Sequence, residues 1–246
     1  MFNVLYLIGS PNPAEHSFSR QVAGYMLEEL LRMRPDATVT IRDLYKEPPF
    51  LLNADYLAAL RKLQQQQVLA PQEAMAMAEV MKEVEQFLAC NHYVVATPLW
   101  NFGVPPMLKA YIDNIVVPEK TFRYTAVGPI GLMGGTGRKL VVVQASGGEF
   151  NEGPARTLNH GSRYLEDIFK FIGIDQIDIV TITGTALPTF DSRKVQAAKA
   201  QGLRLLQEVW LSGSNTAVYA DRITSLGGQA AQGPAQMPEW TINSAH

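Results

Sequence analysis

A loop in the first half of the chain carries the side chains best suited to bind a flat ligand. Trp100, Asn101 and Phe102 follow an unbroken apolar run, and a proline pair then leads into helical spacing. The loop therefore leaves the carboxyl end of a buried strand, where ligands bind in open parallel sheets. Aromatic faces beside an amide suit a planar heteroaromatic ring with polar edges, such as a flavin. The predicted binding residues of this loop are Pro98, Leu99, Trp100, Asn101 and Phe102.

Three serines surround the predicted start of the first helix. Ser10 follows the first apolar strand, and Ser17 and Ser19 flank Phe18, where helical spacing begins. Free backbone N–H groups and the positive end of the helix dipole attract an anion there. The glycine spacing and the Lys-Ser/Thr pair of a Walker A loop are missing. We predict that Ser10, Ser17, Phe18 and Ser19 form a site for a phosphate group. The alternative for each serine is an ordinary role as a helix cap or turn residue.

A pair of glycines follows another apolar strand. Gly147 and Gly148 come shortly after the strand predicted at residues 139–144. Because glycine has no Cβ, the backbone N–H groups of this pair can approach a planar ligand closely. A plain flexible turn is an equal alternative. The predicted binding residues here are Ala145, Ser146, Gly147 and Gly148.

Alternating strands and helices must position these three loops. Strands are predicted at residues 3–8, 38–41, 92–96, 139–144 and 177–181, with helical patterns between them. This order predicts an α/β fold, a doubly wound five-stranded parallel sheet with strand order 2-1-3-4-5 and helices on both faces. The three loops then leave one end of the sheet, around the switch point between strands one and three. The glycine cluster at residues 134–137 precedes a strand, so a hairpin turn is predicted there.

Composition and charge narrow the class of protein. The chain has 246 residues and a formal net charge of -2 without basic clusters, so neither nucleic acid nor a membrane is an expected partner. The start lacks the basic region of a signal peptide, and the single cysteine, Cys90, is expected in the core. These features predict a cytoplasmic protein. We expect one domain over residues 1–211 and an irregular C-terminal extension over residues 212–246.

With these loops located, the sequence resembles the flavodoxin-like FMN-dependent NADH azoreductases, which are also NAD(P)H:quinone oxidoreductases. The resemblance covers about residues 1–211. It implies that the serines bind the phosphate of FMN and that the aromatic loop and the glycine pair hold the isoalloxazine ring. It also implies homodimers with both sites at the interface. The motifs that carry it are Ser10 with Ser17-Phe18-Ser19, Pro98-Leu99-Trp100-Asn101-Phe102, Thr121-Phe122-Arg123-Tyr124-Thr125 before Gly128-Pro129, Gly147-Gly148, Gly153-Pro154, and Tyr164-Leu165 with Phe171-Ile172-Gly173-Ile174.

The resemblance also implies a second group of residues, which would surround the substrate that accepts electrons from the flavin. Tyr124 and Phe171, together with Phe102, would form aromatic walls above the flavin, and Arg61 would lie near the pocket. Phe150 stands where relatives often carry a histidine, so no histidine proton donor is predicted. The predicted substrate-binding residues are Tyr124, Phe171, Phe122, Phe150 and Arg61.

The resemblance, together with the three predicted ligand-binding loops, implies a flavin-dependent oxidoreductase. We expect NAD(P)H to pass two electrons as hydride through tightly bound FMN to a quinone or an azo compound in a ping-pong cycle. No catalytic side chain and no metal site are predicted, because the cofactor performs the redox chemistry. Three alternatives are a flavodoxin-type electron carrier, a structural or regulatory module without flavin, and a hydrolase. The chain lacks the G-x-S-x-G motif of many hydrolases.

Overall fold

The computed structural model describes residues 2–211, and the extension predicted over residues 212–246 lies outside the described residues. The described strands are β1 (Asn3–Ile8), β2 (Thr38–Asp43), β3 (His92–Pro98), β4 (Phe122–Thr125), β5 (Gly128–Gly131), β6 (Lys139–Ala145) and β7 (Gln176–Ile182). The described α-helices are α1 (Phe18–Met33), α2 (Ala54–Gln64), α3 (Pro71–Leu88), α4 (Pro106–Ile115), α5 (His160–Phe171) and α6 (Arg193–Leu205). Short 3₁₀ turns cover Ala14–His16 and Pro154–Leu158, and a π-helical segment covers Leu206–Leu211.

Five strands form one parallel sheet in the order β2-β1-β3-β6-β7. The predicted five-stranded parallel sheet with helices is confirmed, but the predicted order 2-1-3-4-5 does not match. The difference arises because β4 and β5 form a separate antiparallel hairpin, and the sequence pattern at residues 128–131 predicted turns where β5 lies. The hairpin turn predicted at residues 134–137 is also wrong. Those glycines lie in the link from β5 to β6, and the hairpin closes between Thr125 and Gly128 instead.

The central strands β1, β3 and β6 are apolar on both faces because helices cover both sides of the sheet. Val4 and Val94 pack under α1 and α6, whereas Leu5 and Val95 pack on the opposite face with residues of α3, α4 and α5. Cys90 is buried, as predicted, and burial raises the pKa of its thiol. None of the described helices is both long and apolar enough to cross a bilayer.

The loops after β1, β3 and β6 leave the same edge of the sheet side by side. The N–H of Gly9 donates to the carbonyl of Ala96 at 2.8 Å, which joins the first loop to β3. The N–H of Leu99 donates to the carbonyl of Ala145 at 2.8 Å, which joins the aromatic loop to β6. Because neighbouring strands lie about 4.8 Å apart, the three loops fall within the reach of one small ligand.

The hairpin packs so closely on the turn after α5 that residue 131 must be glycine. A Cβ on Gly131 would lie 2.3 Å from the backbone nitrogen of Gly173. We expect Gly131→Ala to lower the free energy of unfolding by more than about 2 kcal/mol in urea titrations, because rigid backbone cannot yield. Gly24→Ala is the control, since nothing lies within 4 Å of a Cβ at this position in α1. The control is expected to gain about 0.5–1 kcal/mol. Equal stabilities for the two variants would contradict this packing.

A buried histidine at the amino-terminal edge of the sheet makes stability depend on pH. His92 stacks on Phe2 with ring centroids 3.8 Å apart, and burial, reinforced by the charges of Lys139 and Arg34, lowers its pKa from 6.5 to about 3. The unfolded chain therefore binds a proton between these values that the folded chain does not. The stabilising contribution is complete above pH 6.5 and is lost as the pH falls towards 3.

We expect His92→Phe to be less sensitive to acid than the parent chain. The free energy of unfolding of the parent should fall by about 2 kcal/mol more than that of the variant between about pH 7.5 and pH 5. The carboxylates titrate in both proteins, so their contribution cancels in the comparison. Urea titrations at the two pH values measure the difference, and parallel pH profiles would contradict it.

Candidate functional site

The three predicted serines meet at the start of α1. Ser10, Ser17 and Ser19 are all buried, and the hydroxyl oxygens of Ser17 and Ser19 lie 3.3 Å apart. Ser17 is the N-cap of α1, because its hydroxyl oxygen accepts from the N–H of Arg20 at 3.5 Å. The hydroxyl oxygen of Ser10 accepts from the N–H of Asn12 at 3.3 Å. Ser17 thus has the capping role, which leaves its hydroxyl proton available to a ligand.

The surroundings of these serines suit an anion. Among the described residues, the backbone N–H groups of Phe18 and Ser19 have no acceptor, as expected in the first turn of a helix. The guanidinium group of Arg20 is already engaged, since it donates to the carbonyl of Asn12 at 2.9 Å and lies 3.6 Å from the carboxylate of Asp43. The hydroxyls and the free amides are therefore the donors that remain for a phosphate group.

The aromatic loop after β3 is a tight, strained turn. Trp100 and Gly103 exchange backbone hydrogen bonds of 3.0 and 2.8 Å, and Asn101 and Phe102 between them have φ of 46° and 67°. Two positive φ values define a type I′ turn, which is costly for a residue with a bulky side chain. The turn holds Trp100 and Phe102 outward, where 40% and 41% of their surfaces are exposed. Strain of this kind is concentrated at ligand sites.

Two aromatic side chains from other segments, Tyr45 and Phe150, contact the rings of this loop. The ring of Phe102 contacts that of Phe150, with centroids 5.6 Å apart, and the ring of Trp100 lies 6.4 Å from that of Tyr45. The hydroxyl of Tyr45 is buried without a hydrogen-bond partner among the described residues, and burial raises its pKa. The sequence analysis did not identify Tyr45 as a site residue. It lies just after a strand, and nothing in the local sequence indicates that its ring lies beside Trp100.

The loop after β6 is anchored to the loop after β7. The carbonyl of Ser146 accepts from the N–H of Thr185 at 3.0 Å, and that of Gly147 accepts from the N–H of Ala186 at 3.1 Å. The carbonyl of Gly148 accepts from the N–H of Gly184 at 3.1 Å. A plain flexible turn, the alternative for this segment, would lack these bonds.

Neighbouring side chains leave little room for a Cβ at either glycine of the pair. A Cβ on Gly148 would lie 2.8 Å from the ring of Phe150, and a Cβ on Gly147 would lie 3.2 Å from the Cβ of Ala186. The N–H groups of both glycines have no acceptor among the described residues, although their carbonyls are bound. The loop therefore offers two amide donors of fixed orientation at the edge of the site.

A buried polar pair beneath the aromatic loop was also missed. The side-chain oxygen of Gln144 accepts from the amide of Asn159 at 2.9 Å, and Asn159 caps α5 by accepting from the N–H of Ser162 at 3.2 Å. The Nε2 atom of Gln144 has no partner among the described residues. The available signal was Gln144 itself, a polar residue that directly follows the apolar run from Leu140 to Val143. This chain of bonds positions the first turn of α5 beside the carboxyl end of β6.

Four of the five predicted acceptor residues, Tyr124, Phe122, Phe171 and Arg61, lie away from these loops within one chain. Phe171 ends α5, which starts at the carboxyl edge of the sheet and runs about 18 Å towards the opposite edge. Phe122 contacts Phe171 and Tyr124, with ring centroids 4.9 and 5.3 Å apart. Arg61 is exposed on α2, and its side chain forms no hydrogen bond or ion pair with the described residues of the three loops. Of the predicted acceptor residues, only Phe150 lies at the loops, through its contact with Phe102.

Comparisons with known proteins agree with this geometry. A family model of the flavodoxin-like fold matches residues 2–206. FMN-dependent NADH:quinone oxidoreductase 2 of Listeria innocua is 39% identical over 204 residues, which cover 81% of this chain and 96% of the relative. A homologue of the same description from Halalkalibacterium halodurans, numbered 3, is 38% identical and covers 85% of this chain and 98% of its own length. The crystal structure of an FMN-dependent NADH-azoreductase from Bacillus anthracis in complex with FMN superposes with a TM-score of 0.78 at 29% identity, covering 84% of this chain and 98% of that one.

Proposed function

The chain belongs to the flavodoxin-like family of FMN-dependent NADH:quinone oxidoreductases and azoreductases, and from this premise we propose that it transfers two electrons from NAD(P)H through FMN to a quinone or an azo compound. One observation supports this most strongly. The loops after β1, β3 and β6 bring buried hydroxyls, free amides and exposed aromatic rings to one edge of the sheet. These groups match the anionic end, the polar edge and the faces of FMN.

Each loop has a distinct task in this proposal. The hydroxyls of Ser10, Ser17 and Ser19 and the amides of the first turn of α1 hold the phosphate. Residues 98–102 lie along the ring system, and residues 145–148 approach its polar edge. FMN, when bound, supplies the hydride chemistry. The amides of Gly147 and Gly148 have a fixed orientation and would donate to the polar edge of the ring, which favours negative charge there.

We also propose that the site is completed by a second copy of the chain. Tyr124 is 71% exposed, and its ring packs on that of Phe122, which in turn packs on Phe171. The aromatic rings of the loop after β3 have other neighbours, because Trp100 lies beside Tyr45 and Phe102 beside Phe150. In a homodimer the rings of Tyr124, Phe122 and Phe171 cover the flavin face of the partner subunit, and Arg61 lies near the pocket entrance. The acceptor binds between them and Phe102 as a flat molecule. The proposed location is the cytoplasm.

The deciding experiment identifies the bound chromophore and follows its turnover. The purified protein is denatured, the released flavin is identified, and oxidation of NADH and NADPH is followed with benzoquinone and with an azo dye. Release of FMN and steady oxidation of the nicotinamide cosubstrate are the expected results. Bound FMN without steady oxidation would indicate an electron carrier, and a colourless protein that fails to bind added FMN would exclude the oxidoreductase.

A further inference from the structure

An open groove runs from the proposed flavin site along the edge of the sheet. It has a volume of about 710 Å³, which lies within the range of small-molecule sites. Strand β7 contributes Ile179 and Thr181, and α5 contributes a wall from Ser162 to Asp167. The 3₁₀ turn before α5 contributes Arg156. None of these residues has a part in the proposed binding of FMN.

The groove is continuous with the aromatic loop. Phe150 lines its near end and contacts Phe102, with ring centroids 5.6 Å apart. Asn151, next to Phe150, donates through its side chain to the hydroxyl of Thr181 and so fixes this end against β7. From Asn159 to Asp167 the helix rises by about 12 Å. A ligand whose one end stacks in the flavin site can therefore extend along the groove by roughly the length of a nucleoside diphosphate.

The charges of the groove are arranged along its length. At the near end, Arg156 is exposed and forms no ion pair with any described residue, and the first turn of α5 carries no acidic side chain. The positive end of the helix dipole adds to this charge. At the far end, the cations are already paired on the helix. Asp167 lies 3.7 Å from Arg163, and Glu166 lies 2.6 Å from Lys170.

We propose that this groove binds the adenosine diphosphate half of the nicotinamide cosubstrate, with Arg156 and the start of α5 holding the pyrophosphate. The apolar surface of Ile179 lies against the adenine ring. This inference rests on the proposed function, because it assumes that a reduced nicotinamide stacks in the flavin site. It adds a binding surface and a specificity rule that the three loops do not provide.

The charge of the far end distinguishes the two cosubstrates. The far end of the groove is lined by two carboxylates, Glu166 and Asp167, and one guanidinium, Arg163, so the 2′-phosphate of NADPH would meet a net negative charge there. The ribose 2′-hydroxyl of NADH needs no cation and can donate to a carboxylate, as in other dinucleotide sites. The groove therefore favours NADH over NADPH.

Binding of ADP-ribose, which lacks the nicotinamide, tests the groove separately from activity. Calorimetric titration of the FMN-loaded protein should give binding that Arg156→Ala weakens about tenfold. Arg32→Ala, an exposed arginine at the end of α1 and away from the groove, is the matched control and should bind ADP-ribose like the parent. Asp167→Asn should improve binding of 2′-phospho-ADP-ribose about threefold by releasing Arg163.

Kinetics provides the second measurement. Arg156→Ala should raise the KM for NADH about tenfold and leave the KM for reduced nicotinamide mononucleotide unchanged, since that compound lacks the adenylate. Failure of ADP-ribose to bind, equal binding by parent and Arg156→Ala, or equal rises in both KM values would overturn the groove assignment. An unchanged response of Asp167→Asn would overturn the specificity rule. If ADP-ribose binds in the groove but neither NADH nor NADPH is oxidised, the proposed function fails and the groove assignment stands.

Discussion

Replacement of both Ser17 and Ser19 by alanine is expected to raise the dissociation constant of FMN about a hundredfold. The two hydroxyls lie 3.3 Å apart in a buried position and can both donate to the dianionic phosphate. A hydrogen bond to a charged group contributes about 1.5–3 kcal/mol, so the loss of two corresponds to at least two powers of ten. Titration of the apoprotein with FMN, followed by quenching of flavin fluorescence, measures the change.

The control must separate ligand binding from helix capping. Ser17 also caps α1, and loss of that cap costs about 1 kcal/mol of stability, which thermal unfolding of the apoprotein will register. Ser192→Ala removes a serine at the N-cap of α6 whose side chain makes no cap bond, so it should alter neither property. An FMN affinity that stays within threefold of the parent in the double variant would mean that the phosphate binds elsewhere.

Phe102→Gly should lower kcat/KM for quinone reduction at least tenfold and leave the free energy of unfolding within about 1 kcal/mol of the parent. The backbone at Phe102 has φ of 67°, a conformation that costs a non-glycine residue about 1–2 kcal/mol. Glycine removes that strain, which offsets the loss of the contact with Phe150. The exposed ring itself is lost, and with it one wall of the acceptor slot.

Gln66→Gly is the matched control for this variant. Gln66 has φ of 56° in the exposed turn after α2, so glycine relieves comparable strain at a position outside the three loops. We expect a gain in stability and an unchanged kcat/KM. If Phe102→Gly retained full activity, or if it unfolded as readily as a core cavity variant, the strained turn would have no role in holding the acceptor. Urea titrations and steady-state assays of the three proteins decide between these results.

The elements that position the site were predictable because their signals are local. The central strands are covered on both faces, which leaves unbroken apolar runs such as residues 4–8 and 93–96. The helix predicted to start near Phe18 begins there, because Ser17 caps it. The positions of the three loops could be predicted because each loop follows the carboxyl end of a predicted strand. Which residues of these loops contact FMN stays a prediction, since the residues were placed by sequence position and chemistry alone.

The parts that escaped prediction depend on contacts between distant segments. The contact of Phe102 with Phe150 and the bond between Gln144 and Asn159 join segments that no local pattern relates. The strand β5 was missed because it has only four residues and contains a Gly-Pro pair that is typical of turns, whereas the alternating aromatics around β4 already indicated an extended segment. Helical spacing extends back to residue 155, but α5 starts later because a 3₁₀ turn occupies Pro154–Leu158.

The anchoring of the glycine loop has a consequence for the speed of cofactor loading. The carbonyls of Ser146, Gly147 and Gly148 accept hydrogen bonds from the neighbouring loop. In each of these peptide bonds the N–H of the next residue points the opposite way, so these N–H groups already face the ligand site. An incoming ring then meets donors that need no rearrangement, and little conformational entropy is lost on association. Uptake of FMN by the apoprotein should accordingly follow a single bimolecular phase whose rate grows linearly with flavin concentration, without the plateau that a slow loop closure would impose.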